Sequence, residues 1–187
     1  MLAEFGFVQV SASDGREFTF TPSFKNIAKL GSPEEIVGLF VALHGPRAYS
    51  EAAFVLTVLC DQDDATQAVG WHEADDPRPP RWVKGFVDPN AQVILARHLM
   101  RHGIAGKAKP DKKGTGDYAK QFSAAEFISS ARVHLGLSAA EAEALSMTEF
   151  QTMLEMKFPN DKQGGGNVPS REEYKKFMDS VKGRKRD

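Results

Sequence analysis

Residues 122–159 read FSAAEFISSARVHLGLSAAEAEALSMTEFQTMLEMKFP, and three helix starts fall within this one stretch. Ser123 with Glu126, Ser138 with Glu141 and Ser146 with Glu149 each form an S-x-x-E box. In such a box the Ser hydroxyl accepts from the N3 amide and the Glu reaches back to the N-cap amide. Phe122 with Phe127, and Leu145 with Phe150, occupy the two positions of a hydrophobic staple. Phe127, Ile128, Ala131 and Leu135 recur at helical spacing, and Gly136 stops the first helix. The stretch therefore predicts three short capped helices packed on one another.

Outward from this group the same logic continues. Residues 104–121 (IAGKAKPDKKGTGDYAKQ) are rich in Gly and Lys and read as a flexible basic linker. Residues 160–169 form a second, Gly-rich linker. Residues 170–187 open with Ser170 and Glu173, carry an apolar stripe at Tyr174, Phe177, Met178 and Val181, and end in a basic tail, which predicts one more helix.

Before the basic linker, residues 1–103 predict a hairpin followed by helices. In FGFVQVSASDGREFTFTP (5–22), a two-residue Asp14-Gly15 turn would put the valines and Phe18/Phe20 on opposite faces. A three-residue Ser13-Asp14-Gly15 loop pairs Val10 with Phe18 and Val8 with Phe20 on one face, with Gly15 in the left-handed position. The second register is favoured. Ser32, Pro33 and Glu35 make a strong helix start with a stripe of Ile36, Val37, Leu39, Phe40 and Leu43, ended by Gly45-Pro46. A helix from about residue 47 to 60 includes AAFVLTVLC, apolar nearly all round, and predicts a central buried element. Residues 61–81 start with helical character and turn acidic and Pro-rich. Residues 81–87 are strand-like but short. Asp88-Pro89-Asn90 opens a helix to Gly103, whose apolar side is assigned to Val93, Ile94, Leu95, Leu99 and Met100. The expected fold class is mainly α: a small helical bundle with an N-terminal β-hairpin and a C-terminal group of short capped helices.

The totals restrict function more than they define it. A net charge of −1 over 187 residues argues against a polyanion binder. The one cysteine, Cys60, excludes an internal disulfide and reads as a small core residue suited to a reducing compartment. The start MLAEFGFVQV lacks a basic region followed by a long apolar run, so no signal peptide is expected. No apolar run is long enough to span a bilayer. The expected location is the cytoplasm.

Candidate chemistry is sparse. His98 and His102 have i,i+4 metal spacing, but no Glu lies between them and Arg101 opposes a cation. Six acidic residues between Asp61 and Asp76 fail the calcium-loop pattern, with Thr66 and His72 where Gly and Glu are needed, and read as a solvated face. The lysines from Lys107 to Lys120 and the basic tail lack interleaved aromatics and read as solvated segments. No catalytic, cofactor-binding or metal residue is assigned. Trp71 and Trp82 read either as interface anchors or as lids over a core. Met147, Met153, Met156 and Met178, with Phe150, Phe158 and Phe177, are candidates for an adaptable apolar groove, against the alternative that most of them are core.

SPEEIVGLFVALHG (32–45), AQVILARHLMRHGIAG (91–106) and above all LGLSAAEAEALSMTEFQTMLEMKF (135–158) resemble tail assembly chaperones of tailed bacteriophages. In these proteins a Leu-rich turn is followed by Ser/Thr-x-x-Glu-Phe opening an amphipathic helix, here Ser146 to Phe150. The resemblance implies a non-enzymatic assembly factor. It binds the tape measure protein and tail tube protein during tail morphogenesis, uses no cofactor, and is compatible with a homo-oligomer. Two alternatives are a structural tail or connector component of the virion and a small nucleic-acid-binding accessory protein.

Overall fold

The computed structural model describes residues 3–73, 81–107 and 120–159. The described residues are mainly α-helical, with two small antiparallel strand pairs among them. The predicted helix over 170–187, the Gly-rich linker and most of the basic linker lie outside the described residues.

After a turn of 3-10 helix at Ala3–Phe5 come β1 (Val8–Ser11) and β2 (Glu17–Phe20). They pair with Val10 opposite Phe18 and Val8 opposite Phe20, the register of the three-residue loop. Gly15 takes φ +84°, a conformation that a side chain disfavours. Phe18 and Phe20 are buried, and the valines opposite them pack against the same core. The outer edge of β2 is covered: Thr21 N donates to Leu59 O at 3.0 Å and Asp61 N to Thr19 O at 2.9 Å.

Helix α1 (Phe24–Ala28) starts at Ser23, whose side chain accepts from Asn26 N. Helix α2 (Pro33–Ala42) carries the full box: Ser32 Oγ accepts from Glu35 N, and Ser32 N donates to Glu35 Oε2 at 2.7 Å. Helix α3 (Ala48–Leu59) corrects one expectation. It is buried on one side only, through Ala48, Ala52, Val55, Leu56 and Leu59, while Tyr49 and Phe54 are exposed. Its main partner is α5 (Pro89–Met100). Cys60, just past α3, is buried as expected, and burial pushes its thiol pKa up.

Between α3 and α5 lie α4 (Thr66–Val69), β3 (Gly70–Glu73) and β4 (Arg81–Lys84). The strand-like character of residues 81–87 is realised in β4, whereas β3 and the pairing were not expected, because a four-residue strand is too short for alternation to show. The base of the ribbon is fastened by buried Gln92, whose Nε2 donates to Val69 O at 2.8 Å and Val87 O at 2.9 Å. Within α5 a second correction applies: Ile94, assigned to the apolar side, is 65% exposed, since only Val93, Ala96, Leu99 and Met100 keep the helical spacing of the buried face.

Helix α5 continues into a π-helical turn, Arg101–Ala105. Ile104 to Lys107, placed by the sequence in the basic linker, thus belong to this helix end and its cap. Helix α6 (Ala124–Ser130) likewise continues into a π turn, Ala131–Leu135, and stops at Gly136 with φ +76°. Helices α7 (Ala139–Ala144) and α8 (Met147–Lys157) follow, each with a complete Ser–Glu capping box. Ser123 makes only half a box: its side chain accepts from Glu126 N, without the return bond from Glu126.

Phe24 joins the early elements to this later group. Its fully buried ring stacks on Phe127 at 5.7 Å between centroids and meets Phe150 edge-on at 5.9 Å. Phe122 lies 5.1 Å from Phe127, completing the predicted staple. Two backbone bonds run alongside, Phe24 N to Leu145 O at 2.8 Å and Phe122 N to Pro33 O at 2.9 Å. One apolar cluster therefore extends from Phe18 to Phe150. Replacing Phe24 with Ala should cost about 3–5 kcal/mol, the range for a buried aromatic that leaves a cavity. Urea unfolding followed by circular dichroism measures this; a loss below about 1 kcal/mol would show the ring to be dispensable.

Candidate protein-binding surface

Helix α8 is held from one side by the end of α5. Lys107 N donates to Gln151 Oε1 at 2.6 Å, and Lys107 Nζ bonds Glu155 Oε2 at 2.7 Å. Gly106, at φ +63°, sits against this clamp, and a Cβ there would lie 2.8 Å from Met147 Cγ. One turn earlier, His102 Nδ1 is 2.9 Å from Thr148 Oγ1. The rings of His98 and His102 are 4.5 Å apart. Burial is the main cause holding both imidazole pKa values below the usual value; Arg101 adds to it at His98, and His98 and then Arg101 add to it at His102. Both shifts favour the uncharged ring, and His102 joins the end of α5 to α8. Among the described residues no three His, Cys, Asp or Glu side chains gather as a metal site.

The seam divides α8 into two faces. Met147 and Phe150, two of the partner-binding candidates, point into the core with 3% and 4% exposure. This corrects their assignment: they share the i, i+3, i+4, i+7 face with Gln151 and Leu154, which packs on the body. Met153 is half-buried, while Met156 is 80% exposed and Phe158 is 51% exposed. Val133, on the second π turn, is 76% exposed and was not foreseen. Its place off the Phe127–Ile128–Ala131–Leu135 stripe was the available signal. Phe177 and Met178 lie outside the described residues.

Trp71 and Trp82 sit on the β3–β4 ribbon at 38% and 39% exposure. They are not neighbours on one surface. Trp71 pairs with Val83 and Trp82 with His72, so the two indoles occupy opposite faces. Trp82 meets His72 edge-on at 4.9 Å, and the Glu73–Arg81 ion pair at 3.0 Å closes the described end of the ribbon. The acidic residues near Asp61 are engaged locally: Asp61 accepts from Thr21 Oγ1 at 2.5 Å, and Asp64 accepts from Thr66 N at 2.8 Å.

These surfaces offer large apolar side chains on the free face of α8 and on the ribbon. A family model described as a family of unknown function, DUF6246, matches residues 44–176. The chain belongs to DUF6246. No curated protein and no solved structure matches it. The DUF6246 span takes in α3 to α8, and so both the ribbon and the seam of α8 with α5. Among the described residues no helix is long and apolar enough to cross a membrane.

The histidine pair sets a pH dependence. Its folded-state pKa values lie below the unfolded value of about 6.5, so the unfolded chain takes up protons first as pH falls. Stability should be fully present above about pH 6.5 and decline as the medium is acidified below it. The double variant H98Q/H102Q should flatten that decline in urea titrations at stepped pH. An unchanged slope would remove the pair from the account.

Proposed function

We propose that this DUF6246 protein is a non-enzymatic assembly factor of the tail assembly chaperone kind. In this reading a small helical bundle serves as a platform, and α8 presents its free face to an amphipathic helix of a tape measure protein. The observation that carries it is the exposure of Met156 and Phe158 at the end of a helix whose opposite face is locked into the core. Unbranched, polarizable Met beside an aromatic ring adapts to helices of varied sequence, which suits a holdase for a long helical partner. The resemblance of residues 135–158 to tail assembly chaperones supports the same reading. The same reading includes the host cytoplasm as the location, tail tube subunits as further partners and no cofactor.

Co-expression with the tape measure protein encoded nearby should yield a soluble complex. M156D/F158D should weaken that complex at least about tenfold, or about 1.4 kcal/mol, because two apolar contacts are replaced by charge. The melting temperature should barely move, since both side chains are exposed. A tape measure protein that stays unbound at micromolar concentration contradicts the proposal. So does recovery of the chain as a stoichiometric component of purified virions, which favours a structural role.

A further inference from the structure

The first hairpin leaves one strand edge open. Thr19 N donates to Gln62 Oε1 at 3.0 Å and Asp61 N donates to Thr19 O at 2.9 Å, so the main chain of Thr19 faces away from β1. Gln9 stands opposite Thr19. Opposed residues of an antiparallel pair either exchange both backbone bonds or both turn them outward. Val8 and Val10 therefore bond Phe20 and Phe18, while the N–H and C=O of Gln9 and Ser11 point away from the hairpin. Among the described residues no other strand or loop bonds them, whereas residues 59–62 cover the outer edge of β2.

An open edge is a template for another strand, and proteins commonly guard one with charge, proline or a bulge. Residues 7–11 read FVQVS, with no charge and no proline, and the register of β1 runs without a bulge. The second ribbon is guarded: Glu73 sits on β3, and Arg81 and Lys84 on β4. Val8 and Val10 are only half-buried on the inner face, and Gln9 and Ser11 are exposed on the outer one. The strand that suits this edge alternates apolar and uncharged polar residues. β1 meets that description itself. Laid antiparallel on its own copy with Gln9 opposite Gln9, it sets Val8 opposite Val10 twice, which extends the inner apolar face. Pairing β4 with its own copy would set Arg81 against Lys84, and like charges directly opposite repel.

We propose that β1 is a dimer interface, pairing antiparallel with β1 of a second copy about a two-fold axis at Gln9 to form one four-stranded sheet. Such an isologous contact closes after two chains. Backbone bonds between the two Gln9 residues, and between Ser11 and Phe7 on either side, supply the affinity, as in strand addition generally. Each hairpin is anchored on its own core through Phe18 and Phe20, so dilution separates two folded bodies without unfolding either. The contact uses no residue of the α8 face, and this inference stands or falls independently of the chaperone reading.

Sedimentation equilibrium of the full chain at micromolar concentration should give twice the chain mass of 20.6 kDa. Q9P removes an amide that points out of the hairpin, where proline is tolerated, and should raise the dissociation constant at least about tenfold. Two cysteine variants in a C60A background test the register without proline. Q9C lies on the axis, within disulfide reach of its counterpart, and should cross-link on mild oxidation. S11C should not, because the two Ser11 positions lie about 14 Å apart in this register. A chain that stays at the monomer mass overturns the proposal, the edge then being closed by water alone. So does a dimer whose affinity Q9P, shown to be folded by circular dichroism, leaves unchanged. Cross-linking of S11C as fast as Q9C, or of neither, also overturns it, because the contact then lies elsewhere.

Discussion

The Phe24 ring holds the architecture together. It enters from the segment that follows the first hairpin and packs against both Phe127 and Phe150, which touch each other and come from helices about a hundred residues later. Aromatic rings in offset or edge-on contact gain roughly 0.5–1.5 kcal/mol beyond their area burial. The geometry also fixes direction. The Phe24 amide bonds the Leu145 carbonyl, and the Phe122 amide bonds the Pro33 carbonyl, so the two groups of elements are stitched by backbone as well as by rings. A pattern of short helices that would be marginal alone is stabilised by this shared burial.

How much of this could be read from sequence depends on the range of the forces involved. The Ser–Glu caps at residues 32, 138 and 146 act within one turn, so residue identity alone locates them. The first hairpin was legible to the register, because a one-residue slip would turn Phe18 and Phe20 away from the valines. The failures lie where distant contacts decide. Nothing local in RHGIA or ARVHL announces a π turn; packing against α8 accompanies both. Likewise α3 looked apolar all round, yet its surroundings cover one side only.

The candidate surface was half legible for the same reason. Sequence picked out the Met- and Phe-rich character of α8 but not which side would dock. The core took Met147 and Phe150, and the clamp of Gln151 and Lys107 set the rotation of the helix. That rotation leaves Met156 and Phe158 outside. The sequence leaves Trp71 and Trp82 as either interface anchors or core lids, and the strand pairing that separates them onto opposite faces cannot be seen without the partner strand. The proposed binding role therefore rests on how the aromatic junction orients α8, and not on composition.

If the Phe24 junction makes one cooperative body from both groups of helices, scanning calorimetry of the full chain is the most direct measurement. The account predicts a single endotherm whose calorimetric and van't Hoff enthalpies agree. Two resolved transitions, or a van't Hoff enthalpy well above or below the calorimetric one, would contradict it.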